Sequence, residues 1–147
     1  MIPLHYMIVF SILSGLLSTM NIWADKLSDI RLSLNDFYMA LLMTGWMLLF
    51  EGIYMMNMHN YMLILGGILV IFSFFAIRTQ LFVTVNQYRL GMIPHHSMAV
   101  HMSKKLIENN DNNPKYIRYI RNKLGNMPWD IITGQEREIN FMKNAIT

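Results

Sequence analysis

Three apolar runs, at 3–23, 37–56 and 61–77, restrict what this chain can fold into more than any other feature. The first, PLHYMIVFSILSGLLSTMNIW, carries no Lys, Arg, Asp or Glu. The second, FYMALLMTGWMLLFEGIYMM, is interrupted only by Glu51, and the third, YMLILGGILVIFSFFAI, by nothing. Each is near the length of about 20 residues that lets a helix cross some 30 Å of hydrocarbon. Hydrophobic residues make up 54% of the chain and charged ones 14%, against roughly a quarter charged in soluble domains. We therefore expect an all-α integral membrane protein. No basic residue precedes the first run, so it reads as a retained helix rather than a cleaved signal peptide. Gly66 and Gly67 in the third run would let another helix approach closely.

Composition changes after the third run. Residues 78–147 hold ten of the twelve Lys and Arg but five of the nine Asp and Glu. This predicts two domains, a three-span membrane part over 1–77 and a basic helical part over 78–147. Helices are expected at 87–108, 115–124 and 129–145, separated by the turn NNDNNP at 109–114 and the break at Gly125–Pro128. The polar connector 24–36 should end in an N-cap at Asn35 or Asp36. With three spans, the connector and the C-terminal part share one side and hold every Lys and Arg. The positive-inside rule puts that side in the cytosol and the N-terminus outside.

The segment GMIPHHSMAVHM (91–102) concentrates three of the five histidines. On a helix Met92, His95, Met98, Ala99 and Met102 share one broad face, with His96 to the side and His101 opposite. Imidazole and thioether suit soft metals, copper(I) above all. If a helix began at Pro94, its dipole would keep His95 and His96 neutral. In IITGQEREINFM (131–142), Ile131, Gln135, Glu138 and Met142 form one stripe. Gln135 and Glu138 lie on a side that should be buried, so they need partners. A carboxylate facing His95 or His96 would orient the imidazole or bind a metal. Helix packing accounts for the same residues without a metal.

MIPHHSMAVHM followed by IITGQEREINFM resembles the paired-helix signature of the domain-of-unknown-function family 305, a ferritin-like helical family. SLNDFYMALLMTGWM and AIRTQLFVTVNQYRLGMIPHH are similar to its membrane-anchored branch, in which three spans precede the His-His helix. The resemblance implies a ferritin-like hairpin and metal binding, with copper the usual metal. It carries over to Met92, His95, His96, Met102, Gln135, Glu138 and Met142, and it brings no settled enzymatic activity. Met98 and His101 depart from the pattern by adding donors. Val85 stands where relatives often carry a capping Asp, and Gly125–Pro128 resembles an insertion.

The expected function is a non-enzymatic, membrane-anchored copper binder for buffering, handling or resistance. Its first ligands would be His95, His96, Met98 and Met102, and its partners the bilayer and a second copy or a larger assembly. The alternative is a structural membrane subunit of a respiratory complex or a membrane-containing virus particle, with the His/Met face used for packing. Met39, Met43, Met47, Glu51, Met55 and His59 recur every four residues, a stripe that reads as lipid-facing or inter-helix packing. Glu51 should have a partner, such as His5, Tyr54 or another subunit. Lys104, Lys105, Lys115, Arg118, Arg121 and Lys123 form a basic surface suited to anionic headgroups rather than nucleic acid. The chain has no cysteine, which excludes thiolate chemistry. It shows no phosphate-binding glycine loop, and no acid and oxyanion arrangement follows from Ser97 and Ser103 beside the histidines, so a serine hydrolase is not expected.

Overall fold

The computed structural model describes residues 4–54, 60–109 and 112–145. Six α-helices account for most of them: α1 (Leu4–Leu17), α2 (Leu34–Tyr54), α3 (Asn60–Thr79), α4 (Val85–Glu108), α5 (Pro114–Leu124) and α6 (Met127–Asn144). No strand occurs among the described residues. Three segments are long and apolar enough to cross a membrane: Leu4–Trp23, Leu34–Tyr54 and Asn60–Thr79.

The chain divides into two compact units, one of Met1–Thr19 and Leu32–Tyr88, the other of Met20–Arg31 and Arg89–Thr147. This division differs from the expected cut at residue 77. The connector after α1 belongs to the second unit, and residues 78–88 belong to the first. The first apolar run is not one continuous α-helix either. It leaves the α conformation at Leu17, and Met20–Trp23 form a 3-10 turn. Asn21 then bridges to Arg31, accepting from its N–H at 2.9 Å and donating to its carbonyl at 2.7 Å. That pair closes the connector into a loop.

In the first unit α2 packs against both α1 and α3. Small residues set the spacing. A Cβ on Gly15 would lie 2.7 Å from the Ala40 Cα, and one on Gly66 would lie 2.8 Å from the Gly45 carbonyl oxygen. Gly67 faces open space, so only one of the two adjacent glycines serves the contact. Ser33, rather than Asn35 or Asp36, caps α2. Its N–H and hydroxyl both donate to Asp36 Oδ2, at 2.8 and 2.7 Å, and Asp36 sits three residues into a capping box. The Leu34 N–H donates to Gln87 Oε1 at 2.7 Å, and the Tyr38 hydroxyl donates to the Leu81 carbonyl at 2.8 Å. Gln80 and Phe82 take positive φ in the turn after α3. Thr84 caps α4 through its hydroxyl, which accepts from the Gln87 N–H at 3.3 Å. The neighbour of Val85 thus supplies the cap that Val85 cannot.

Met39, Met43, Met47, Trp46 and Phe50 line an apolar groove on α2. Ser11 donates to Met47 Sδ at 3.3 Å. The stripe is therefore apolar surface and helix contact, as the packing reading holds. Met55 and His59 lie outside the described residues. Glu51 is half-buried one turn from the end of α2 and has no ion-pair partner among the described residues.

The second unit is an antiparallel pairing of α4 and α6. Arg89 Nη1 donates to the Ala145 carbonyl at 2.6 Å, while Lys104 meets Glu136 at the opposite end. Ile93, Val100, Ile139 and Met142 form the core, with Met92 packed against it. Helix α5 sits between the two in sequence. Asn113 caps it, accepting from the Tyr116 N–H, and Pro114 opens it. Gly125, with a φ of 61°, ends it.

The glycine contact generates a paired prediction. Gly66→Ala should lower the unfolding midpoint in detergent, because overpacking a tight contact costs about 1–3 kcal/mol. Gly67→Ala should leave the midpoint unchanged or slightly raise it, since alanine is the better helix former.

Candidate functional site

Helix α4 begins at Val85, so Pro94 lies in its interior and the histidines are not in a first turn. The expected dipole effect on them is therefore absent. His96 is kept neutral by a different cause. Burial lowers its pKa below the ordinary 6.5, the charge of Glu138 opposes that shift, and neighbouring His95 adds to it. Glu138 Oε2 lies 3.0 Å from His96 Nδ1. That nitrogen is buried and makes no well-aligned hydrogen bond, so the contact is electrostatic and off the ring N–H axis.

His95 turns the other way, into the connector. Its Nδ1 stands 3.2 Å from Met20 Sδ. Met20 belongs to no motif, and sequence spacing gave no reason to pair it with residue 95. The four methionines expected around the histidines separate. Met142 is in the core with Met92 against it, Met102 is 56% exposed, and Met98 is half-buried. Gln135 is half-buried on α6. The expected single face of one imidazole and three thioethers is thus divided, because α4 buries Ile93, Ser97 and Val100 instead.

Ser97 is the residue that spacing did not single out. Its side chain is fully buried. Its hydroxyl accepts from the Asp25 N–H at 2.8 Å and donates to Asp29 Oδ2 at 2.7 Å. Asp29 also receives Lys143 from α6 on its other oxygen. Burial pushes the Asp29 carboxyl up, but the bonds from Lys143 and Ser97 and the Lys143 and Lys26 charges outweigh it, leaving the pKa below its ordinary value. Asp25 Oδ2 takes Lys104 at 2.8 Å, and His101 Nδ1 stands 3.8 Å from Asp25 Oδ1. Lys104 also reaches Glu136 at 2.9 Å. Its pKa is raised by the bonds to Asp25 and then to Glu136. Connector, α4 and α6 are therefore joined by one polar network around a small cavity lined by Asp25, Asp29, Ser97 and Lys143.

This arrangement tests the donor set for a metal. Among the described residues no group of three or more His, Cys, Asp or Glu comes together to hold one. Cavity carboxylates Asp25 and Asp29 are already neutralised by lysines. The soft donors fit better. Two ligands about 2.0–2.3 Å from one ion lie within roughly 4 Å of each other, and His95 and Met20 meet that limit.

The fold defines an all-helical protein with three helices long and apolar enough to cross a membrane and a separate helical unit. Within that class the chain is similar to the uncharacterized protein L153 of Acanthamoeba polyphaga mimivirus. The two are 43% identical over 143 residues, which cover 95% of this chain and 88% of the relative. The chain belongs to the family of that viral protein. No protein-family model and no solved structure matches it.

Two predictions arise from the network. Ser97→Ala leaves a buried carboxylate oxygen and an amide short of a partner, which costs about 1–3 kcal/mol. Hydrogen exchange should then quicken over 20–31 more than over α2. Acid should act in two steps. The stability contributed by neutral His96 is complete above its unfolded value near 6.5 and is lost as pH falls through the lower folded value. The Asp29 contribution is lost in the same sense at lower pH, below 3.8. Melting curves across pH should show the first step in the wild type and a smaller one in His96→Gln.

Proposed function

We propose that this is a non-enzymatic, membrane-anchored protein whose α4–α6 unit takes a soft metal ion, copper(I) in the first instance, for buffering or handling. The observation that carries this reading is the His95 Nδ1–Met20 Sδ separation of 3.2 Å. Imidazole and thioether are a soft donor pair. His95 and Met20 would hold the ion, with His96, neutral near pH 7, as the adjacent nitrogen donor. Glu138 would orient His96 from outside the site. Met98 and Met102 are further thioethers on the same helix, whereas Met92 and Met142 serve the core. The resemblance to the domain-of-unknown-function family 305 supports the same reading, including a ferritin-like origin for the hairpin. Two copies could complete a four-helix bundle. The excess of Lys and Arg in residues 20–31 and 89–147 supports a cytoplasmic side for this unit.

A second reading has its own support. The mimivirus relative matches nearly the whole chain, which favours a structural subunit of a virus membrane. In that case the His and Met residues would be packing.

An anaerobic copper(I) titration of the full chain in detergent, against a competing chelator, separates the two. Tight binding that is lost in Met20→Ala/His95→Ala is the expected result. Binding no stronger than in that variant would sink the metal reading for copper.

A further inference from the structure

The lysines of the connector, α4 and α6 face carboxylates: Lys26 and Lys104 meet Glu136, Lys104 also meets Asp25, Lys105 meets Glu108, and Lys143 meets Asp29. Arg31 and Arg89 donate to backbone carbonyls instead. The cations of α5 cluster on one short helix and meet no carboxylate among the described residues. Lys115, Arg118, Arg121 and Lys123 are exposed and have no ion-pair partner among the described residues. The sequence from Asn112 to Trp129 contains no Asp or Glu. Arg121 lies over the Trp129 ring, 5.3 Å from its centroid. That contact leaves its charge in place.

The helix also sorts its faces. Ile120 is buried at 3% exposure, with Tyr116 and Ile117 beside it half-buried. At about 100° per residue, Lys115 and Arg118 lie opposite Ile120, and Arg121 and Tyr119 flank them, while Lys123 is exposed in the last turn. Tyr119 is 55% exposed, and Leu124 and Met127 at the α5 end are exposed as well. A surface of unneutralised Lys and Arg bearing an aromatic and flanked by apolar side chains is built for a layer that is anionic at its face and apolar just beneath.

From these observations we propose that the outward face of α5 docks on the headgroups of anionic phospholipids. The charge complements such a surface, and the exposed Tyr119, Leu124 and Met127 match the apolar layer under it. A nucleic acid would match the cations but leave the aliphatic side chains unused. Three helices able to cross a bilayer in the same chain keep lipid headgroups within reach.

The full chain in discs of neutral lipid, mixed with phosphatidylcholine vesicles with or without phosphatidylserine, tests this by co-flotation. The wild type should float with the anionic vesicles alone and be released by salt. Lys115→Gln/Arg118→Gln/Lys123→Gln should lose most of that binding, about five-fold for each cation removed. Lys115→Arg/Lys123→Arg should keep it. Equal flotation with both kinds of vesicle, no flotation, or undiminished flotation of the neutralised variant would overturn the proposal. So would a DNA duplex that binds at the same salt and strips the protein from the vesicles. The wild-type comparison and its salt dependence decide the question even where the triple variant fails to fold.

Discussion

The buried Ser97 hydroxyl holds the second unit together at one point. It takes the Asp25 amide and gives its own proton to Asp29, so a single atom joins two parts of the connector to α4. Such a bond is valuable because of where it sits. A buried carboxylate without its donors suffers the full desolvation penalty, whereas a paired one stiffens what it touches. Lys143 on the far oxygen of Asp29 extends the bond to α6, and Lys104 on Asp25 extends it down α4. The hydrophobic core of the unit is small: Ile93, Val100, Ile139 and Met142 with Met92 alongside. The polar network is what gives this modest core a fixed partner in the connector. It also brings Met20 to His95, because Met20 opens the segment that Asp25 and Asp29 anchor.

Much of the architecture was legible because it obeys periodic rules. The three apolar runs, the helix after Asn113 and the turn at Gly125 all follow from local chemistry acting within a few residues. Gly66 was legible as a close-contact residue for the same reason. The α2 cap was misread by two residues. Asn35 and Asp36 have capping side chains, but the capping box with Asp36 at its third position lets Ser33 satisfy more donors at once. A helix over 87–108 already has Pro94 in its interior; the alternative of a start at Pro94 fails because α4 begins at Val85 and continues through it.

The candidate site was legible only in part. His96 and Glu138 do meet, as helical stripes on two packed helices should. His95 and Met20 are 75 residues apart in sequence, and no helical period links them. Ser97 was passed over because serine carries no distinctive pattern. Its importance comes from burial beside two carboxylates of a connector assigned by sequence to a different region. The methionines misled for the opposite reason. Their spacing is regular, yet thioether side chains fill cores and surfaces as readily as they bind ions.

The way the connector is shared between units has a consequence for how the protein is made. Residues 20–31 leave the ribosome well before Arg89, and they complete a unit whose other parts come last. Asp25 and Asp29 wait for Ser97 and Lys104 until α4 emerges, and Asp29 waits for Lys143 until α6 does. The second unit is therefore assembled late, around a loop whose two ends lead into the first and second apolar helices. Those two helices set the loop's ends before its partners exist. The last-made part of the chain therefore has to close on one of the first-made.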